Sequence, residues 1–97
     1  MSSIEDVRAV VVDIPAGQVI SYGQIGTMIG MGPRQVGHAM TLLNDDVPWW
    51  RVVYADGTPS SCHHGTALEL LRAEQTPMVG ERVDVQLARY IPPILVT

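Results

Sequence analysis

Three groups of side chains in this 97-residue sequence could do chemistry. Cys62-His63-His64 sets the only thiol beside two imidazoles. The thiolate is the reactive form of cysteine and a neighbouring base eases its ionisation, so these residues could form a nucleophile. A metal site is a poorer reading, because adjacent residues rarely reach one ion together and the fourth ligand is unassigned. Pro48-Trp49-Trp50-Arg51 places two indoles in succession, suited to packing or to stacking on a flat ring. Arg34 and Tyr22 are a cation and a phenol, equally at home on a solvated surface and over a core.

The elements that position them are readable from caps and periodicity. Ser3 caps a first helix over residues 4–13, with Glu5 and Asp6 at its positive end and Val7, Val10, Val11 and Ile14 on one face. Ile14-Pro15-Ala16-Gly17 breaks it. Ser21-Tyr22-Gly23-Gln24 fits a capping box and starts a second helix, buried through Ile25, Met28 and Ile29. Gly30-Met31-Gly32-Pro33 ends that helix and presets a third, spanning residues 33–43. Its inner face is Val36, Ala39 or Met40, and Leu43; Arg34, Gly37, His38 and Thr41 point outward. Two short helices joined through glycine make a helix-turn-helix pattern, although merely packed helices share it.

Further on, residues 51–54 read as a strand closed by the Asp56-Gly57 turn, and residues 58–65 as a polar surface loop. Thr66-Ala67-Leu68-Glu69 is a second capping box, opening a helix to about Gln75. Residues 82–87 alternate like a half-buried strand, expected to pair with residues 51–54 as a small wing. Arg89-Tyr90-Ile91-Pro92-Pro93 leads into an apolar tail. The expected fold is mostly α with a small β wing, a winged helix-turn-helix-like domain over residues 1–97.

Composition bounds the function. The length suits one domain, since a second would be too small to bury its own core. A hydrophobic fraction of 46% is normal for a globular fold. One cysteine rules out an intramolecular disulfide or a cysteine-based metal cluster, and fits a reducing cytoplasm. The start lacks the basic and apolar features of a signal peptide, and no run approaches the roughly 18 apolar residues of a membrane span. A cytoplasmic protein without cofactor, metal or membrane contact is expected. Six arginines against ten acidic residues give −4, unlike strongly basic nucleic-acid binders. Between Gly17 and Tyr54, however, Arg34 and Arg51 balance Asp45 and Asp46. With so few cations, any DNA binding would rest on shape more than on counterion release.

Four segments in order resemble the DNA-binding domain of O6-alkylguanine-DNA alkyltransferases: Ile14-Pro15-Ala16-Gly17-Gln18-Val19, Ser21-Tyr22-Gly23-Gln24-Ile25, Arg34-Gln35-Val36-Gly37-His38-Ala39-Met40 and Pro48-Trp49-Trp50-Arg51-Val52-Val53. With Leu70-Leu71-Arg72-Ala73-Glu74 the similarity covers most of residues 4–87. In the transferases the segment at Pro48 reads Pro-Cys-His-Arg-Val. Its cysteine accepts the alkyl group, and its histidine, oriented by a later glutamate, activates the thiol. Here Trp49 and Trp50 take those positions and Glu74 matches the glutamate, with no histidine left to orient. The chain therefore resembles the alkyltransferase-like members, which keep the base-flipping residues without the chemistry.

The resemblance implies the remaining roles. Arg34 is the finger that enters the base stack from the minor groove, Tyr22 presses on the phosphate of the flipped nucleotide, and Gly32 and Gly37 let the third helix lie close. His38 faces the groove. Trp49, with Val52 and Tyr54, shapes a lesion pocket; of the two indoles Trp49 is expected to line it, while Trp50 packs beneath or contacts the base. The expected partner is double-stranded DNA containing O6-alkylguanine, bound by a monomer that marks the lesion for nucleotide excision repair proteins. Ser61, Cys62 and His63 depart from the family's binding loop. Two other readings stay open: a winged-helix DNA-binding or interaction module without lesion recognition, and an enzyme whose Cys62 accepts alkyl groups.

Overall fold

The computed structural model of the chain describes residues 4–92; the Ser3 cap and the apolar tail after Pro92 lie outside them. Helix α1 is Ile4–Val12, with Val7 and Val11 buried, and a turn at Pro15 carries the chain into the two-residue strand β1, Ile20–Ser21. Ser21 then caps helix α2, Tyr22–Ile29, its hydroxyl accepting from the Gln24 amide at 3.1 Å. Helix α3, Pro33–Thr41, starts on a proline that needs no donor in the first turn. The Gln35 side chain accepts from the Gly32 amide at 2.9 Å, holding that entry. Val36, Ala39, Met40 and Leu43 are all buried, so both alternatives for the inner face are inside.

These three helices close one core with Ile14, Ile20, Ile25, Val47, Trp49 and Val52. A second, smaller cluster joins Val19, Val53, Leu71, Val83 and Ala88. A 3₁₀ turn, Trp49–Arg51, connects to strand β2, Val52–Val53, which pairs parallel with β1 through Ile20↔Val52 and Ser21↔Val53. Helix α4 is Ala67–Ala73, followed by β3, Met78–Val79, β4, Arg82–Val83, and a short helix α5, Val85–Ala88.

The wing differs from the expectation. Strand β4 pairs antiparallel with β3, not with residues 51–54, whose partner is β1. The alternation over residues 82–87 splits into a strand and a helix because the Asp84 carboxylate accepts from the Leu87 amide and caps α5. The capping box at Thr66 also fails. Thr66 sits in helical conformation, and its hydroxyl donates backwards to the His63 carbonyl at 3.0 Å.

The turn between α2 and α3 sets how the helix pair is presented. Gly30 takes φ +76°, where glycine is unstrained, and its amide bonds the Gly26 carbonyl. The Met31 amide returns to the same carbonyl at 2.9 Å. This folds the backbone tightly over Gly26, where a β-carbon would meet the Met31 carbonyl oxygen at 2.3 Å. Gly26→Ala is expected to lower the thermal unfolding midpoint: overpacking costs about 1–3 kcal/mol, outweighing the gain of up to about 1 kcal/mol from alanine in a helix. A midpoint equal to or above wild type would show that the turn yields.

Candidate nucleic-acid interface

The outer face of α3 carries the groove expected to meet DNA. Tyr22, Pro33, Arg34, Gly37 and Tyr54 line a shallow open depression of about 370 Å³. Arg34 is exposed and makes no hydrogen bond or ion pair with another described residue, whereas Arg8, Arg51 and Arg82 are paired with Asp46, Glu74 and Asp56. Gly32 is exposed at the helix start, and Gly37 has open space where its side chain would be. His38 is exposed one turn on, beside a second, apolar depression with Ile4, Met31 and Leu42.

Tyr22 does not offer a free hydroxyl. Its ring is 7% exposed and packs at 4.9 Å against Tyr54, and its hydroxyl donates to the Ser60 hydroxyl at 2.7 Å. Burial, opposed by the Ser60 bond, pushes the phenol up to about 12. Tyr54 is the exposed ring of the pair, 45% open to solvent. A contact between the Tyr22 hydroxyl and a phosphate would have to break the Ser60 bond.

Trp49, expected to line an open pocket, is covered. Trp49 is the buried one, 1% exposed, its Nε1–H donating to Asp45 Oδ1 at 2.8 Å. Trp50 meets it edge-on at 5.8 Å and is only half-buried. Val52 is fully inside and lines no open surface. One face of Trp49 is covered by the imidazole of His63, stacked at 4.1 Å and 15°.

His63 is held at both nitrogens. Nε2 lies 2.7 Å from the Leu43 carbonyl, which can only accept, so Nε2 carries the proton. In the neutral ring Nδ1 then accepts from the Cys62 thiol at 3.0 Å. The Ser60 hydroxyl, 2.8 Å from that sulfur, completes a chain reaching Tyr22. This pairing of Cys62 with His63 was legible only as sequence adjacency.

Glu74 has partners that sequence reasoning missed. Its carboxylate accepts from Trp50 Nε1 at 3.0 Å, from Arg51 Nε and Nη2 at 2.8 and 2.9 Å, and from the Gly17 amide at 3.1 Å. Arg51 also donates to the Ile14 carbonyl at 2.7 Å. Burial is the largest single influence on this carboxyl and acts to raise its pKa. The bonds from Arg51, then Trp50 and Gly17, together outweigh it and hold the group below the usual glutamate range.

The domain described as "6-O-methylguanine DNA methyltransferase, DNA binding domain" matches residues 3–76. The chain belongs to this family. Alkyltransferase-like protein 1 of Schizosaccharomyces pombe is 46% identical over 54 residues, covering 52% of this chain and 50% of that protein. A DNA base-flipping protein of Thermus thermophilus is 40% identical over 68 residues, covering 63% and 44%. The chain thus spans about half the length of these curated relatives. The crystal structure of S. pombe Atl1 with damaged DNA containing O6-carboxymethylguanine matches over 95% of this chain and all of the other, at 29% identity and a TM-score of 0.79. A second structure of the S. pombe protein in complex with DNA matches equally well. Among the described residues, no helix is long and apolar enough to cross a membrane.

In the motif that begins at Pro48, Trp49 is a buried indole and Trp50 is an indole bonded to Glu74. Glu74 ties the 3₁₀ turn to α4 and to the segment after α1. Because its folded pKa lies below the unfolded value, its contribution to stability is present above the unfolded pKa of about 4.3 and lost as pH falls through the folded value. Glu74→Gln is expected to lose about 1.5–3 kcal/mol of stability at neutral pH. It should also show a shallower loss than wild type on acidification below roughly pH 4.3. Chemical denaturation at pH 7 and pH 3.5 checks both; parallel pH profiles would remove the assignment.

Proposed function

We propose that this protein recognises O6-alkylguanine in duplex DNA by placing α3 in the minor groove and turning the lesion out of the stack, without accepting the alkyl group. The observation that carries this reading is an unpaired, exposed Arg34 at the start of α3, facing a groove with Tyr22, Gly37 and Tyr54. It stands on a fold that superposes along nearly its whole length on a relative bound to damaged DNA. Arg34 fills the space left by the base. Flipping costs a few kcal/mol and least for a poorly paired base, which favours an O6-alkylguanine. Stacking on an aromatic wall returns about 1–3 kcal/mol per base, and Trp49 is the aromatic at the former acceptor position.

The chain is not a transferase at that position, because an indole does not displace an alkyl group at neutral pH and Nε1 of Trp49 is already committed to Asp45. Handing the marked lesion to nucleotide excision repair proteins is part of the same reading. A second reading rests on the 3.0 Å approach of Cys62 to His63, in which the thiol itself takes the alkyl group. The two separate in one sample.

Fluorescence titration with paired duplexes, one holding O6-methylguanine, should give clear preference for the lesion, with shallow salt dependence. Intact-mass analysis of the same sample should show unmodified protein; a gain of one methylene on Cys62 would establish the transferase reading instead. Equal affinity for both duplexes would refute lesion recognition. Arg34→Ala should weaken lesion binding several-fold with little effect on folding, and unchanged binding would remove the finger.

Gly37 separates stability from binding. It lies inside α3 with nothing where a β-carbon would go, so Gly37→Ala should stabilise the free protein by about 1 kcal/mol. The same methyl stands between helix and groove floor, and duplex affinity should fall. A stabilised variant with undiminished affinity would place DNA elsewhere.

A further inference from the structure

We propose that His63 is a gate: in the free protein its imidazole occupies the stacking face of Trp49, and a flipped base is bound only when His63 leaves. The inference rests on the lesion reading above and names the residue that sets the affinity of that same site.

Three observations carry it. Trp49 is 1% exposed, so as it stands neither face of the ring is open to a ligand. The group stacked on it is His63, at 4.1 Å and 15°, the near-parallel arrangement that an incoming base would adopt; Trp50 touches the ring edge-on. Beyond His63 lies an open cavity of about 530 Å³ lined with Thr41, Asp45 and Thr66. Withdrawing one imidazole therefore joins Trp49 to that cavity, with the Asp45 carboxylate already at the rim and bonded to the indole.

The loop that holds the gate is constructed to release it. His63 has φ +56°, a left-handed conformation that is strained for a side chain with a β-carbon. What fixes it is the bond from Nε2 to Leu43, the Cys62 contact and the stack itself. Moving the His63 segment outward lets its backbone leave the left-handed conformation and frees the Leu43 carbonyl. Thr66, which donates to the His63 carbonyl, stays at the start of α4 and marks where the moving segment ends.

The test compares wild type, His63→Ala and His63→Phe. In titrations with an O6-methylguanine duplex, His63→Ala should bind roughly fivefold to 150-fold tighter, the equivalent of one lost stack and one lost hydrogen bond. His63→Phe keeps a ring over Trp49 and should not gain. Weaker lesion binding by His63→Ala would overturn the gate and make the imidazole a lesion contact; equal gains by both variants would overturn it too. In the free protein carrying Trp50→Phe, acrylamide quenching of Trp49 should rise with His63→Ala, and unchanged quenching would show that His63 covers nothing. A wild type that does not discriminate the lesion, beside a His63→Ala variant that does, supports the gate. Discrimination by wild type without any gain in His63→Ala defeats the gate alone. No discrimination by either defeats both readings.

Discussion

The bonds converging on Glu74 hold together the parts that make the site. A carboxylate at the end of α4 gathers the Gly17 amide after α1, the indole of Trp50 and the guanidinium of Arg51. Charge-assisted bonds of this kind are about twice as strong as neutral ones, and a partly buried carboxylate would be unfavourable without them. Arg51 extends the tie to the Ile14 carbonyl, so α1, the 3₁₀ turn and α4 meet at one point. With Trp50 and Arg51 fixed on one side of that turn, Trp49 is driven to the other, into the core beneath α3. The position of Trp49 follows from an ion pair on the opposite face.

Local signals in the sequence were legible, and nonlocal ones were not. Ser21 as a cap, Pro33 as a helix start and the buried set of α3 all rest on contacts within four residues, and the helix pair appears as expected. The wing depends on which strand finds which partner. Residues 51–54 and 82–87 each have the pattern of a strand, yet nothing in either pattern says that β1 takes β2 and β3 takes β4. Asp84 ahead of Val85 and Leu87 was a visible cap that the alternation obscured.

The indoles show the same limit more sharply. Register placed Trp49 at the former thiol, but adjacent residues in a 3₁₀ turn point about 120° apart, so one of the pair had to face inward. Which one depended on Glu74, which the sequence marked but left without a partner because the expected imidazole was missing. His63 was read as part of a departing loop; its left-handed backbone and its stack on Trp49 are tertiary facts with no local signature.

An indole in place of an acceptor thiol, as proposed for Trp49, changes what the pocket requires. A transferase needs its reacting atom open to the substrate and beside a base, so the site must remain partly solvated and its groups titratable. A binding wall has no such need. Trp49 is buried, bonded through its nitrogen to Asp45 and covered by an imidazole, which the proposed gate would withdraw when a base arrives. Covering lowers affinity for every base, since each must displace the same ring, and it leaves the balance to the base's own readiness to leave the stack. A chain of net charge −4, with one unpaired arginine at the groove, would hold DNA loosely through its phosphates. On the proposed reading, weak general attraction and a self-occupied pocket both withhold stability from undamaged duplex, and discrimination comes from the poor pairing of the lesion itself.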